Sequence, residues 1–195
     1  MIFLYLILGH LLADFVFQPT KLVIWKKKSW LGVYVHALIH FLVYAVLLLP
    51  YLHNVLAFLI LACIAVAHFI IDSTKIRFES GRRKMLPLFF ADQAVHFFIL
   101  MVAGMQFLSL GVKCNLQSFY ANFYLSKLLV SYFIVLVGSG NVYEIVKYQF
   151  APAKNSGDVF APDFAPDRIA ICKRMAVATV IYAIFVPAGL ALKLL

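Results

Sequence analysis

Acidic side chains are scarce in this sequence. Eight Asp and Glu stand among 195 residues, and charged residues of both signs reach only 13%, about half the share of a soluble domain. A chain so poor in charge cannot clothe a globular surface, which excludes a soluble fold of this size. Cysteine is equally thin: Cys63, Cys114 and Cys172 are scattered and form no CxxC pair. A disulfide framework is thereby excluded, and the three read as packing or loop residues. No GxSxG, Ser-Lys or Cys-His arrangement offers a protein nucleophile. The N-terminus has no basic leader and no small-residue cleavage site. It is apolar from Ile2 onward and carries His10 and Asp14, so it reads as a retained helix rather than a signal peptide.

What the sequence does hold is apolar length. Hydrophobic residues make up 65% and mean hydropathy is +0.96, the mark of an integral membrane protein. Apolar runs fall at about 2–18, 31–49, 55–73, 86–110, 122–146 and 168–194, the first stopping at Pro19 and the second at Pro50. Runs of this length suit a hydrocarbon core of about 30 Å. The expectation is therefore an all-α polytopic membrane bundle of about six transmembrane helices, a single transmembrane domain over 1–195. Residues 1–110 form a four-helix core, and 111–195 add two helices with a Phe/Pro-rich cytoplasmic loop. Gly138, Ser139 and Gly140 allow close contact in the fifth run, and Asp167 is placed to cap the sixth.

The net charge of +9 would suit nucleic acid, but the basic residues sit in short loops between apolar runs, so nucleic-acid binding is discounted and lipid is the expected partner. Lys21, Lys26, Lys27 and Lys28 lie in a loop bounded by Trp25 and Trp30, a composition typical of the lipid interface. Lys75, Arg77, Arg82, Arg83 and Lys84 follow the third run, and Lys147, Lys154, Arg168, Lys173 and Arg174 surround the longest loop; only Lys113, Lys127 and Lys193 fall elsewhere. By the positive-inside rule these loops are cytoplasmic and both termini face out.

Inside the first four runs, polar residues recur at helical pitch: His10, Asp14 and Gln18; His36 and His40; His68 and Asp72; Asp92 and His96. A four-residue step stacks side chains on one helix face. Given the loop assignment, all four stripes lie in the cytoplasmic half, as residues sharing one site must. Ionisable groups in a membrane need partners. His10, His36, His40, His68 and His96 with Asp14, Asp72 and Asp92 are accordingly read as one buried divalent-metal site. Imidazole with carboxylate favours zinc, with iron or manganese as alternatives. Eight candidates exceed the ligand count of one catalytic zinc, so some orient other ligands or two metals bind. Asp14 and Asp92 are the candidate general bases.

Competing readings are a structural membrane subunit whose hydrogen-bonded histidines merely set helix register, a cation or proton transporter or channel using the same residues, and haem, which does not call for aspartates four residues from its histidines. Gln18, Gln93 and Lys75 are ambiguous between tuning the site and lying at the interface. Asn141 and Glu144 are possible supporting residues at the same depth, and His53 is a solvated loop residue.

The segments HLLADFVFQ, HALIH, HFIIDSTK and DQAVH, in that order over residues 10–96, resemble the signature blocks of a bacterial inner-membrane family, domain of unknown function 3307. That family is distantly similar to membrane-bound metal-dependent hydrolases. The resemblance covers about the first half of the chain. It implies a bacterial cytoplasmic membrane location and supports the His/Asp residues as a site; the family has no assigned reaction. A metal-dependent hydrolase acting on an anionic amphiphile such as a phosphorylated lipid is the expected activity, with the basic loops holding the head group.

Overall fold

Four apolar helices close into a ring, and a fifth, short and basic, lies against one of them. The computed structural model describes residues 2–78, 85–109, 111, 130–138, 176–177 and 179–180. The helices are α1 (Ile2–Phe15), α2 (Thr20–Lys28), α3 (Trp30–Leu47), α4 (Val55–Phe78) and α5 (Met85–Ser109), with a single 3-10 turn at Leu49–Tyr51. Residues 130–138 are also helical, and among the described residues there is no strand. Helix α1 packs on α3, α3 on α4, α4 on α5 and α5 back on α1, while α2 packs on α3.

The boundaries follow from local chemistry. After Phe15 the amides of Val16 and Phe17 both reach the Leu12 carbonyl, and Pro19, which has no N–H to continue the ladder, starts a new helix. Ser29 then breaks the chain in an extended conformation and caps α3, its Oγ accepting from the Leu31 amide at 3.2 Å. Pro50 sits within the 3-10 turn. His53, exposed as expected, donates from Nδ1 to the Pro50 carbonyl at 2.8 Å, and Asn54 Oδ1 accepts from the Leu56 amide to open α4.

The basic stretch after Pro19 corrects the sequence reading: it is the helix α2, not a loop. At nine residues it extends about 13 Å, too short to cross a bilayer. Lys75 and Arg77, read as loop residues, lie in the last turn of α4. Among the described residues three helices are long and apolar enough to cross a membrane: Trp30–Leu47, Val55–Phe78 and Pro87–Ser109. The 14-residue α1 spans about 21 Å, less than a full crossing. The fifth and sixth runs, the Phe/Pro-rich loop, Asn141, Glu144, Asp167, Cys114 and Cys172 fall outside the described residues, apart from the helical segments at 130–138, 176–177 and 179–180.

The interior of the ring is divided by depth. One half is a dry plug of Leu6, Leu8, Tyr44, Leu48, Ala57, Leu61, Ile64, Leu100, Ala103 and Phe107. The other half holds the polar side chains. Large apolar residues on the outer faces, among them Val46, Leu49, Phe98, Met105 and Leu108, are exposed, as they are on a surface that meets lipid. Two glycines set how closely α3 is approached. A Cβ on Gly9 would stand 2.8 Å from the Tyr44 ring, and one on Gly32 would stand 2.5 Å from the Lys26 nitrogen and 2.7 Å from its Cα. The first lets α1 settle on α3; the second lets the backbone of α2 touch α3 at Lys26.

Candidate metal centre

The helical step puts one histidine from each helix of the ring at a common level. His10, His40, His68 and His96 form a closed circuit, with ring centroids 5.3 Å apart from His10 to His40, 3.6 Å from His40 to His68, 4.4 Å from His68 to His96 and 4.9 Å from His96 back to His10. All four are buried. One turn nearer the α2 side, Asp14, His36, Asp72 and Asp92 make a second layer. All eight residues singled out by the sequence pattern are brought together. Of these, only Asp14 is not fully buried, its side chain being 11% exposed.

Asp14 is the hub of the second layer. Its Oδ1 lies 2.9 Å from His40 Nε2, 3.0 Å from His36 Nε2 and 3.8 Å from His68 Nε2. Its Oδ2 faces His10 Nε2 at 3.4 Å and the Gln93 amide at 3.5 Å. The other two aspartates each meet a lysine: Lys26 Nζ donates to Asp72 Oδ2 at 2.9 Å and Lys75 Nζ donates to Asp92 Oδ2 at 2.7 Å. Asp14 therefore stands apart. Among the described residues it is the one carboxylate of the three with imidazoles, and no lysine, against it.

The donor set suits a divalent ion. Ligand atoms from Asp14, His36, His40 and His68 all lie within 4.8 Å of one another, as do those of His68, Asp72 and His96. A tetrahedron with bonds of about 2.0–2.1 Å has edges of about 3.3 Å, and the three distances about Asp14 Oδ1 bracket that value. His96 Nδ1 lies 2.9 Å from the Asp92 carbonyl oxygen. Because that oxygen only accepts, Nδ1 carries the proton and the lone pair sits on Nε2. Among the described residues that buried Nε2 has no hydrogen-bond partner, and neither has His68 Nε2. Buried lone pairs without donors are costly unless a cation meets them. Nδ1 of His10, His36 and His40 is also buried without a partner among the described residues.

His68 belongs to both groups, which restricts the site. A neutral imidazole offers one lone pair, so one ion uses the Asp14 group or the Asp72 group, not both sets in full.

Sequence reasoning missed Lys26. It sits among three consecutive lysines, with nothing in the pattern to set it apart from Lys27 or Lys28. The ambiguous Gln18, Gln93 and Lys75 all join the site. Gln93 Oε1 lies 3.3 Å from His10 Nε2. In the amide orientation that satisfies its neighbours, Gln18 accepts from Lys26 Nζ at 3.0 Å and donates to the Asp14 carbonyl at 3.2 Å and to His36 Nε2 at 3.3 Å.

A family model described as a protein of unknown function, DUF3307, matches residues 2–140. No curated protein and no solved structure matches the chain.

Proposed function

The chain belongs to the DUF3307 family, and from the centre inside its helix ring we propose that it is a membrane-embedded, metal-dependent hydrolase acting in the cytoplasmic half of a bacterial inner membrane, with both termini outside. The observation that carries the proposal is the surrounding of Asp14: three imidazole nitrogens about one carboxylate oxygen, with the other two aspartates already matched by lysines. Three carboxylates against two ammonium groups leave one negative charge uncompensated, and a divalent ion answers it. His36, His40, His68 and Asp14 would hold that ion, zinc first by donor type, iron or manganese otherwise.

A divalent ion held there by His36, His40, His68 and Asp14 would supply Lewis-acid activation of water and of a scissile ester or phosphoester. The protein's own groups do the rest. Asp92 Oδ1 is buried, accepts no hydrogen bond among the described residues and lies 3.5 Å from His96 Nδ1, which suits it to take a proton while Lys75 holds the other oxygen. Asp14 serves as a ligand and not as the base. Lys26 and Lys75, partly exposed at the rim, draw an anionic head group toward the centre, so the substrate class is an anionic amphiphile such as a phosphorylated lipid.

The dry plug favours this over transport. Leu6, Leu48, Leu61 and Leu100, at most 2% exposed, fill the axis on the side away from the polar layer, whereas a relay needs polar groups or water on both sides. The test is to incubate detergent-solubilised, metal-loaded protein with phosphatidic acid or lipid pyrophosphate and follow inorganic phosphate release, alongside cation flux in proteoliposomes. Metal-dependent release that is absent from Asp14→Asn supports the hydrolase; flux without product supports transport.

A further inference from the structure

Lys26, at the rim, is tied firmly into the centre. Its side chain reaches from α2 to Asp72, 46 positions away in sequence, to make a 2.9 Å bond. Its backbone is pressed onto α3 at Gly32, where a Cβ would lie 2.5 Å from the Lys26 nitrogen. The neighbouring turn is fixed as well, with the Ser29 amide on the Trp25 carbonyl at 2.9 Å, and Gln18 accepts a second Lys26 proton. An ammonium held so firmly against a buried carboxylate occupies the place of a cation. The carboxylate it takes up has ligands beside it: Asp72 Oδ2 lies 3.6 Å from His36 Nε2 and 3.8 Å from His68 Nε2, and the Nε2 atoms of His68 and His96, buried and unpartnered among the described residues, complete a group with Asp72.

We infer that His68, Asp72 and His96 form a second divalent-cation position in the same centre, and that Lys26, by holding Asp72, closes it as a tethered competitor, confining the ion to the Asp14 group. This rests on the proposed metal centre and adds its control: the ion moves onto Asp72 when the Lys26 ammonium leaves. An anionic head group arriving at α2 is the chemistry that would draw the ammonium away, because a phosphate oxyanion offers it the same charge-assisted bond as Asp72.

The probe is the metal alone, zinc or manganese, titrated into chelator-stripped full-length protein. Lys26→Gln is expected to tighten binding tenfold or more, within the range of ordinary coupling between sites, and the gain should vanish in Lys26→Gln/Asp72→Asn. That double variant should bind within threefold of the wild type, since removing the pair together leaves the charge of the centre unchanged. Unchanged or weaker binding in Lys26→Gln overturns the inference. Should Lys26→Gln fail to fold, the double variant decides: affinity within threefold of the wild type supports the competitor role, and loss of metal makes Asp72 a resident ligand and overturns it. A wild type that binds no metal while Lys26→Gln does leaves Lys26 as the resident cation and removes only the Asp14 centre. No metal in either removes both.

Discussion

Charge balance at single residues decides what this protein can hold. Asp72 and Asp92 are each paired with an ammonium group, while Asp14 is met by imidazoles. An unpaired buried carboxylate is expensive, so the surrounding histidines are poised either to donate to it or to share a cation with it. Asp14→Asn should therefore cost more metal affinity than the about 10–100-fold typical of losing an outer partner, measured by isothermal titration on protein whose helical content is unchanged. Tyr44 gives a prediction of opposite sign. Its hydroxyl is buried without a hydrogen-bond partner among the described residues while its ring packs over Gly9. Tyr44→Phe keeps the ring and removes the stranded group, so it should leave thermal stability unchanged or raise it by about 1 kcal/mol, checked by melting in detergent.

Glycines govern how the helices come together. A methyl at Gly32 would run into the Lys26 backbone, whereas at Gly138 it would meet only Leu11 Cδ1 at 3.9 Å. Gly32→Ala should lower stability by about 1–3 kcal/mol and should loosen the Lys26–Asp72 pair, while Gly138→Ala should be close to neutral; thermal melts of the two variants side by side check this. The His/Asp stripes were readable beforehand because a four-residue step in an apolar run leaves a helix one way to present it. The boundaries of α3, α4 and α5 were readable to within a few residues at three starts and two of three ends; only α4 ran past its expected end, to Phe78, because apolar run length does not register a helix continuing through Lys75 and Arg77. Helix α2 was hidden for the same reason, its lysines resembling a solvated loop. Lys26 was hidden because its selection over Lys27 and Lys28 depends on the approach of α2 to Gly32, a contact between backbones that leaves little trace in either segment.

The described helices α1, α3, α4 and α5 make a closed ring, dry on one side and polar on the other. If the polar half is cytoplasmic, a cysteine at Lys27 should be labelled by an impermeant maleimide only from the cytoplasmic side. One at His53, in the connection at the dry end, should be labelled only from outside. Both belong in a background with Cys63, exposed on α4, and the other two cysteines changed to serine. The reverse pattern would turn the molecule over without disturbing the centre, since the eight side chains meet in either orientation.

That meeting point is the central claim, and metal content tests it most directly. Full-length protein purified without chelator or affinity-resin metal should carry a divalent ion in stoichiometric amount by plasma mass spectrometry, and folded Asp14→Asn and His36→Ala/His40→Ala should carry none. Folded wild-type protein that holds no divalent metal, even after equilibration with zinc, manganese and ferrous iron, would contradict it.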